Sequence, residues 1–159
     1  MPGSASGNSH FGDERKFVTV LFADIVNSSR LVANQDPEEA DEFLLPIIHE
    51  LTDCVQKFGG TVNQILGDGI MAAFGVPDAQ EDHALRACLA AQEMISAVAG
   101  IDEQSNDDRI SPASIRVGLN SGEVVVQLIG EHPWQQYRLI GRVFTPRPGR
   151  SKIVPPTRY

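Results

Sequence analysis

The stretch Phe17-Val18-Thr19-Val20-Leu21-Phe22-Ala23-Asp24-Ile25 constrains the fold more than any other, being nearly all β-branched or aromatic until one carboxylate interrupts it near its end. A run this apolar reads as a strand buried on both faces. Such a strand carries an acid only where something satisfies the charge, because an unpaired buried carboxylate is very costly. Asp24 is the residue to explain.

Around this strand the chain alternates helical and extended patterns. Asn27-Ser28-Ser29 offers short polar side chains suited to a turn or a helix N-terminus. From Pro37 to Phe58 the apolar residues, among them Phe43, Leu44, Ile47, Leu51 and Val55, fall at helical spacing. Pro37 suits the first turn and Gly59-Gly60 the stop, while Pro46 is expected to kink the helix or divide it. Two apolar runs, Thr61 to Leu66 and Ile70 to Gly75, flank Gly67-Asp68-Gly69 and predict a β-hairpin with Asp68 at its tip. Asp78 as N-cap, with Glu81 three residues on, predicts a second helix buried along Leu85, Cys88, Ala91, Ile95 and Val98. The stretch from Gly100 to Pro112 is acidic and polar and reads as a loop. Ser114 to Leu119 and Val124 to Leu128 read as two more strands joined by the turn Asn120-Ser121-Gly122-Glu123.

Strand, helix, hairpin, helix, strand, strand is an α+β pattern. It points to the split βαβ, ferredoxin-like arrangement, one sheet with both helices on one face. In that topology the first strand and the central hairpin lie side by side, so the end of the strand approaches the hairpin tip and Asp24 meets Asp68. Two carboxylates at close range repel unless a proton or cation sits between them. A hard cation such as Mg²⁺ favours one or two carboxylates plus substrate phosphates. The polar turn after Ile25 would present backbone N–H groups to those phosphates. The residues converge on a divalent-metal, nucleotide-type site.

Composition agrees. The 159 residues are 42% hydrophobic, enough for one globular domain, behind a Gly/Ser-rich tail or linker at 1–13. A net charge of −8 argues against a nucleic-acid or anionic-membrane surface, but not against a small anionic ligand neutralised by cations. Cys54 and Cys88 lie in apolar helical patterns and read as small buried hydrophobes of a reduced, cytoplasmic protein. No apolar run approaches the ~18 residues of a spanning helix, and the first residues lack the basic and apolar regions of a signal peptide. The expectation is a soluble protein, or a piece of a larger one, without a membrane span.

Four blocks in order carry a resemblance: Phe22-Ala23-Asp24-Ile25 after the valine-rich strand, Gly59-Gly60-Thr61-Val62 leading to Leu66-Gly67-Asp68-Gly69-Ile70-Met71-Ala72, Glu81-Asp82-His83-Ala84, and Ile115-Arg116-Val117-Gly118-Leu119-Asn120-Ser121-Gly122. Together, over about Glu14 to Gly141, they resemble the class III adenylate/guanylate cyclase catalytic domain. The resemblance implies a ferredoxin-like core and two such domains paired head to tail, as a homodimer or with a partner cyclase domain. It implies conversion of a nucleoside triphosphate, ATP ahead of GTP, to a 3′,5′-cyclic nucleotide and pyrophosphate. By the same resemblance Asp24, Asp68 and the backbone carbonyl of Ile25 hold two Mg²⁺ (or Mn²⁺) ions, an arrangement with the logic of a two-metal clamp. Ile25, Val26, Asn27, Ser28 and Ser29 would cradle the phosphates beside Gly67, and Arg116 matches a position that contacts the phosphate chain.

Departures from the family pattern are equally specific. Gln64 stands where many adenylate cyclases carry a purine-reading lysine, and Arg138 stands at the second base-reading position, often Asp or Thr. The family continues with a helix bearing a ribose-orienting Asn and, one turn later, a transition-state Arg; those places fall at Thr145 and Gly149. Pro146, Pro148 and Gly149, without a helical stripe, do not form that helix. The segment reads as a truncation or shifted reading frame, which divides the chain into the tail at 1–13, a cyclase-like domain at 14–141 and a Pro/Arg-rich irregular tail at 142–159.

Taken singly, Asp24 reads as a turn or helix cap, Asp68 as an ordinary hairpin residue, Arg116 as a cross-strand pairing residue and His83 as a surface or capping residue. Two functions remain open: a cyclase working as a dimer or with a complete partner, and a non-catalytic cyclase-homology module that binds Mg-nucleotide or pairs with a complete domain. Another two-metal nucleotidyl enzyme with a palm-like core fits the two aspartates but not the later blocks.

Overall fold

Strand β1, Glu14–Ile25, is the middle of a five-stranded sheet. The computed structural model of the chain describes residues 14–26, 28, 36–104, 113–129 and 136–144. The expected tails at 1–13 and beyond residue 144, with Thr145 and Gly149, and also Asn27 and Ser29, lie outside the described residues. After β1 come α1 (Pro37–Lys57), β2 (Thr61–Ile65), β3 (Gly69–Phe74), α2 (His83–Gln104), β4 (Ile115–Ile129), β5 (Gln136–Ile140) and a 3₁₀ turn at Arg142–Phe144. The sheet order is β2-β3-β1-β4-β5 and every neighbouring pair is antiparallel, so the hairpin strand β3 splits the β1-α1-β2 unit. This is the expected α+β, ferredoxin-like arrangement.

Apolar packing on both faces of the sheet explains the composition of β1. Leu21, Ala23 and Ile25 join Ile70 and Phe74 of β3, Leu51 and Val55 of α1, and Ala87, Ala90 and Met94 of α2 in one cluster, which puts both helices on the same face. On the opposite face Val18 and Val20 pack with Ala73, Val124, Val126 and Val143, so the 3₁₀ turn that follows β5 covers part of that side.

Pro46 neither ends nor divides α1, which runs unbroken for 21 residues with Glu38 and Glu39 in its first turn and Lys57 in its last, the charge order its dipole favours. The second helix starts at His83 rather than at Asp78. Gln80 is drawn elsewhere: its side chain accepts from the Gly75 N–H (3.1 Å) and donates to the Gly59 carbonyl (2.9 Å), while Lys16 donates to the Pro77 carbonyl. The helix also runs past Gly100 to Gln104, into the stretch expected to be loop.

The buried stripe of α2 is Ala87, Ala90, Ala91, Met94 and Val98, not the line through Leu85, Cys88 and Ile95, which are exposed. Both lines satisfy a 3.6-residue period, and the small-residue line lets the helix approach the sheet closely. Cys54 is buried as expected. By length and composition alone His83–Ile101 could cross a bilayer, contrary to the expectation that no run comes near; its alanine-rich side is part of the domain core.

Strands expected on either side of a turn at Asn120–Glu123 form one 15-residue strand. Full pairing with the 12-residue β1 overrides the local turn signal, with Ser121 opposite Thr19 and Gly122 opposite Val18. The polar side chains find partners inside the sheet. Asn120 Nδ2 donates to the Val143 carbonyl (2.9 Å), and the Ser121 hydroxyl lies 2.6 Å from that of buried Thr19. Thr19 also bonds His83 Nδ1 at 2.7 Å, and the His83 ring lies against Phe17. His83 therefore ties α2 to β1 rather than facing solvent or capping the helix.

Candidate active site

Asp24 is the last residue but one of β1, and its two cross-strand partners are Gly69 on β3 and Arg116 on β4. The absence of a side chain at Gly69 is what brings β3 against β1 here: a Cβ on it would meet the Ala23 carbonyl oxygen at 2.3 Å and Asp24 Cα at 3.2 Å. Just before it, the turn Leu66–Gly69 closes with Leu66 N–H on the Gly69 carbonyl (2.8 Å) and Asp68 N–H on the Leu66 carbonyl (2.9 Å). Gly67 takes φ +73°, a left-handed conformation that glycine adopts without a Cβ penalty. The Ile25 N–H then donates to the Asp68 carbonyl at 3.0 Å, fastening the turn to the end of β1. The sequence GDG after an apolar strand thus delivers Asp68 next to Asp24.

Among the described residues each carboxylate has a side-chain partner. The Arg116 guanidinium donates to Asp24 Oδ2 at 2.7 Å, with the side chains 55% and 43% exposed. The hydroxyl of buried Ser28 donates to Asp68 Oδ2. Two carboxylates and one guanidinium leave the cluster with a net negative charge, a setting that attracts a cation. Among the described residues no group of three or more His, Cys, Asp or Glu side chains could hold a metal. Two carboxylates with main-chain carbonyl oxygens form an all-oxygen donor set that suits a hard cation keeping positions for water and phosphate, so the residues present fit Mg²⁺ or Mn²⁺.

Three of the expected phosphate-binding residues have their donors engaged within the protein. The N–H groups of Ile25 and Val26 are engaged inside the protein, by Asp68 and by the Ser114 carbonyl (2.8 Å), so they do not face a ligand. Ser28, expected among the phosphate-binding residues, directs its hydroxyl to Asp68 instead, a role that sequence spacing does not reveal. Gln64 and Arg138, expected at the base, are exposed on β2 and β5, the two edge strands, with three strands between them. Next to Gln64 the side-chain oxygen of Asn63 is buried without a partner, where the β2–β3 register shifts between Val62 and Gln64.

A family model described as the adenylate and guanylate cyclase catalytic domain matches residues 13–145. The chain belongs to that family. This cyclase domain is 30% identical over 126 residues to a protein named "Guanylyl cyclase, membrane" from Dictyostelium discoideum, covering 79% of this chain and 8% of that protein. It is likewise 30% identical over 118 residues to an adenylate cyclase of Mycobacterium bovis, covering 74% of this chain and 26% of that one. Among solved structures, the guanylyl cyclase Cya2 superposes with TM-score 0.74 at 32% identity, over 82% of this chain and 66% of that chain. The adenylyl cyclase CyaB from P. aeruginosa gives 0.74 at 29%, over 82% and 68%. The cyclase domain therefore spans a minor part of these curated relatives' length.

Proposed function

We propose that the domain, with 14–141 as its working unit, binds a divalent-cation complex of a nucleoside triphosphate at the Asp24–Asp68 end of the sheet. There it forms half of a cyclase active site that makes a 3′,5′-cyclic nucleotide and pyrophosphate. The observation that supports this reading is the backbone hydrogen bond that fastens Asp68 to Ile25, the residue after Asp24, within the family's own sequence blocks.

Asp24, Asp68 and the Ile25 carbonyl would hold two Mg²⁺ or Mn²⁺ ions. When bound, such ions lower the pKa of the attacking hydroxyl, neutralise the α-phosphate and steady the leaving pyrophosphate. The ribose O3′ forms a bond to the α-phosphorus, the bond from that phosphorus to the bridging oxygen breaks, and the 3′ proton passes to solvent. Ser28 fixes the Asp68 carboxylate, and Arg116 supplies positive charge beside the phosphates. ATP comes ahead of GTP as the substrate, and the cytoplasmic triphosphate pool is the natural source. The site is formed with a second cyclase domain; because Thr145 and Gly149 stand at the places of the ribose-orienting Asn and the transition-state Arg in every copy of this chain, a homodimer lacks those two groups and a complete partner supplies them. Loss of one such donor costs about 10²–10³ in rate in comparable sites.

Those same two positions favour one other reading, a cyclase-homology module that binds Mg-nucleotide or pairs with a complete domain without turnover. Purified chain is incubated with ATP or GTP and Mn²⁺ or Mg²⁺, alone and mixed with a complete homologous domain, and cyclic nucleotide is quantified. Product in either mixture above that of the partner alone, lost in Asp24→Asn, supports the enzyme. Silence in both, with metal-dependent nucleotide binding retained, leaves the module.

A further inference from the structure

We propose that Arg116 occupies the place of the cation at Asp24 until substrate arrives, so that divalent metal and nucleoside triphosphate bind cooperatively; this rests on the functional reading above. The other ion pairs of the described residues, Arg15–Glu123, Lys16–Glu14, Lys57–Glu93 and Arg86–Asp82, do not involve either aspartate of the site. Arg116–Asp24 alone among the described pairs takes an oxygen that the metal needs.

Adjacent strands hold the two residues as direct cross-strand partners, so the guanidinium meets the carboxylate without strain. On the other side of Asp24 stands Gly69, which has no side chain to offer. A divalent ion arriving alone has to displace a charge-assisted hydrogen bond of 2.7 Å and then sit beside the displaced positive charge. A triphosphate arriving with the ion changes the balance. Its oxygens accept the planar, forked guanidinium better than a single carboxylate oxygen does, and they neutralise the charge that would repel the metal. Both side chains are about half exposed, which leaves Arg116 free to rotate from one partner to the other within water. The same exposure keeps the effect modest, because exposed pairs couple weakly.

The test is Mn²⁺ titration of the full chain, with free Mn²⁺ read by electron paramagnetic resonance, without nucleotide and then with α,β-methylene-ATP. Arg116→Gln keeps an N–H donor for Asp24 and removes the charge; Arg116→Lys keeps the charge. The expected result is that Arg116→Gln binds Mn²⁺ alone about two- to five-fold more tightly than wild type, while Arg116→Lys stays near wild type. The factor by which the analogue raises Mn²⁺ affinity should also shrink in Arg116→Gln. Equal or weaker binding of Mn²⁺ alone by Arg116→Gln, or an undiminished factor, overturns the proposal. A role for Arg116 in merely positioning Asp24 predicts weaker binding, the opposite sign. Asp68→Asn separates the two levels: if wild type binds Mn²⁺ and Asp68→Asn binds it equally well, it is the functional reading that fails.

Discussion

Gly69 lies so close to Ala23 that a methyl group on it would stand 2.3 Å from the Ala23 carbonyl oxygen. Backbone atoms of the central strand cannot yield as a flexible side chain can, so Gly69→Ala must push β3 and the Asp68 turn away from β1. The expected cost is about 2 kcal/mol or more, read as a fall in Tm of roughly 4–8 °C, together with weaker Mn²⁺ binding. Gly67 is a useful contrast, since a Cβ there meets nothing within 4 Å and only its positive φ is penalised. Gly67→Ala should cost about 1 kcal/mol.

Ser28 donates its hydroxyl to Asp68 from a buried position. Partners of this kind hold a ligating carboxylate in one rotamer, and their loss typically costs about 10–100-fold in metal affinity. Ser28→Ala should therefore weaken Mn²⁺ binding about ten-fold in a titration while lowering unfolding stability by about 1 kcal/mol or less. A variant that loses stability but keeps its Mn²⁺ affinity would show that the bond is structural only.

Burial drives the Cys54 thiol up from 9.0 to about 11, helped by the Glu50 and Glu93 carboxylates and opposed by Lys57. The folded state then keeps a proton that the unfolded chain releases. Its contribution to stability is whole below pH 9.0 and is lost as the pH rises to about 11. The stability difference between wild type and Cys54→Ala, measured by urea unfolding, should narrow by about 2 kcal/mol across that interval. Exposed Cys88 should react with a thiol reagent in the native protein, and Cys54 only on unfolding.

The side of α2 that faces the core can be checked directly. Met94 is fully buried, whereas Leu85 is 59% exposed and Ile95 43%. Met94→Ala should cost about 2–4 kcal/mol, and Leu85→Gln and Ile95→Gln each within about 0.5 kcal/mol in chemical denaturation.

Sequence patterns located β1, α1, the hairpin and the approach of its tip to the end of β1, because in those places periodicity, turn chemistry and topology agree. They misplaced features where two local signals compete and only tertiary packing decides. The stripe through Leu85 and Ile95 is as periodic as the one through Ala87 and Met94, and hydropathy prefers the larger residues. Asn120-Ser121-Gly122 reads as a turn until β1 is laid beside it. In the site, the carboxylates were legible as charges in apolar surroundings and Arg116 as a cross-strand pairing residue, but that Arg116 reaches Asp24 and Ser28 reaches Asp68 was not. Each depends on which of several polar side chains reaches an oxygen first, and chain spacing carries no record of that.

From Thr19 to Asp24 strand β1 has a hydrogen-bonded neighbour on each side, and its side chains enter apolar clusters on both faces. Amides so enclosed exchange with solvent only through openings that approach global unfolding. Asp24 is thus carried by a strand paired on both sides, while Asp68 sits on a short turn and Arg116 ends in a half-exposed side chain. Whatever adjustment the site makes when a ligand arrives falls to that turn and that side chain, with β1 as the fixed reference against which they move.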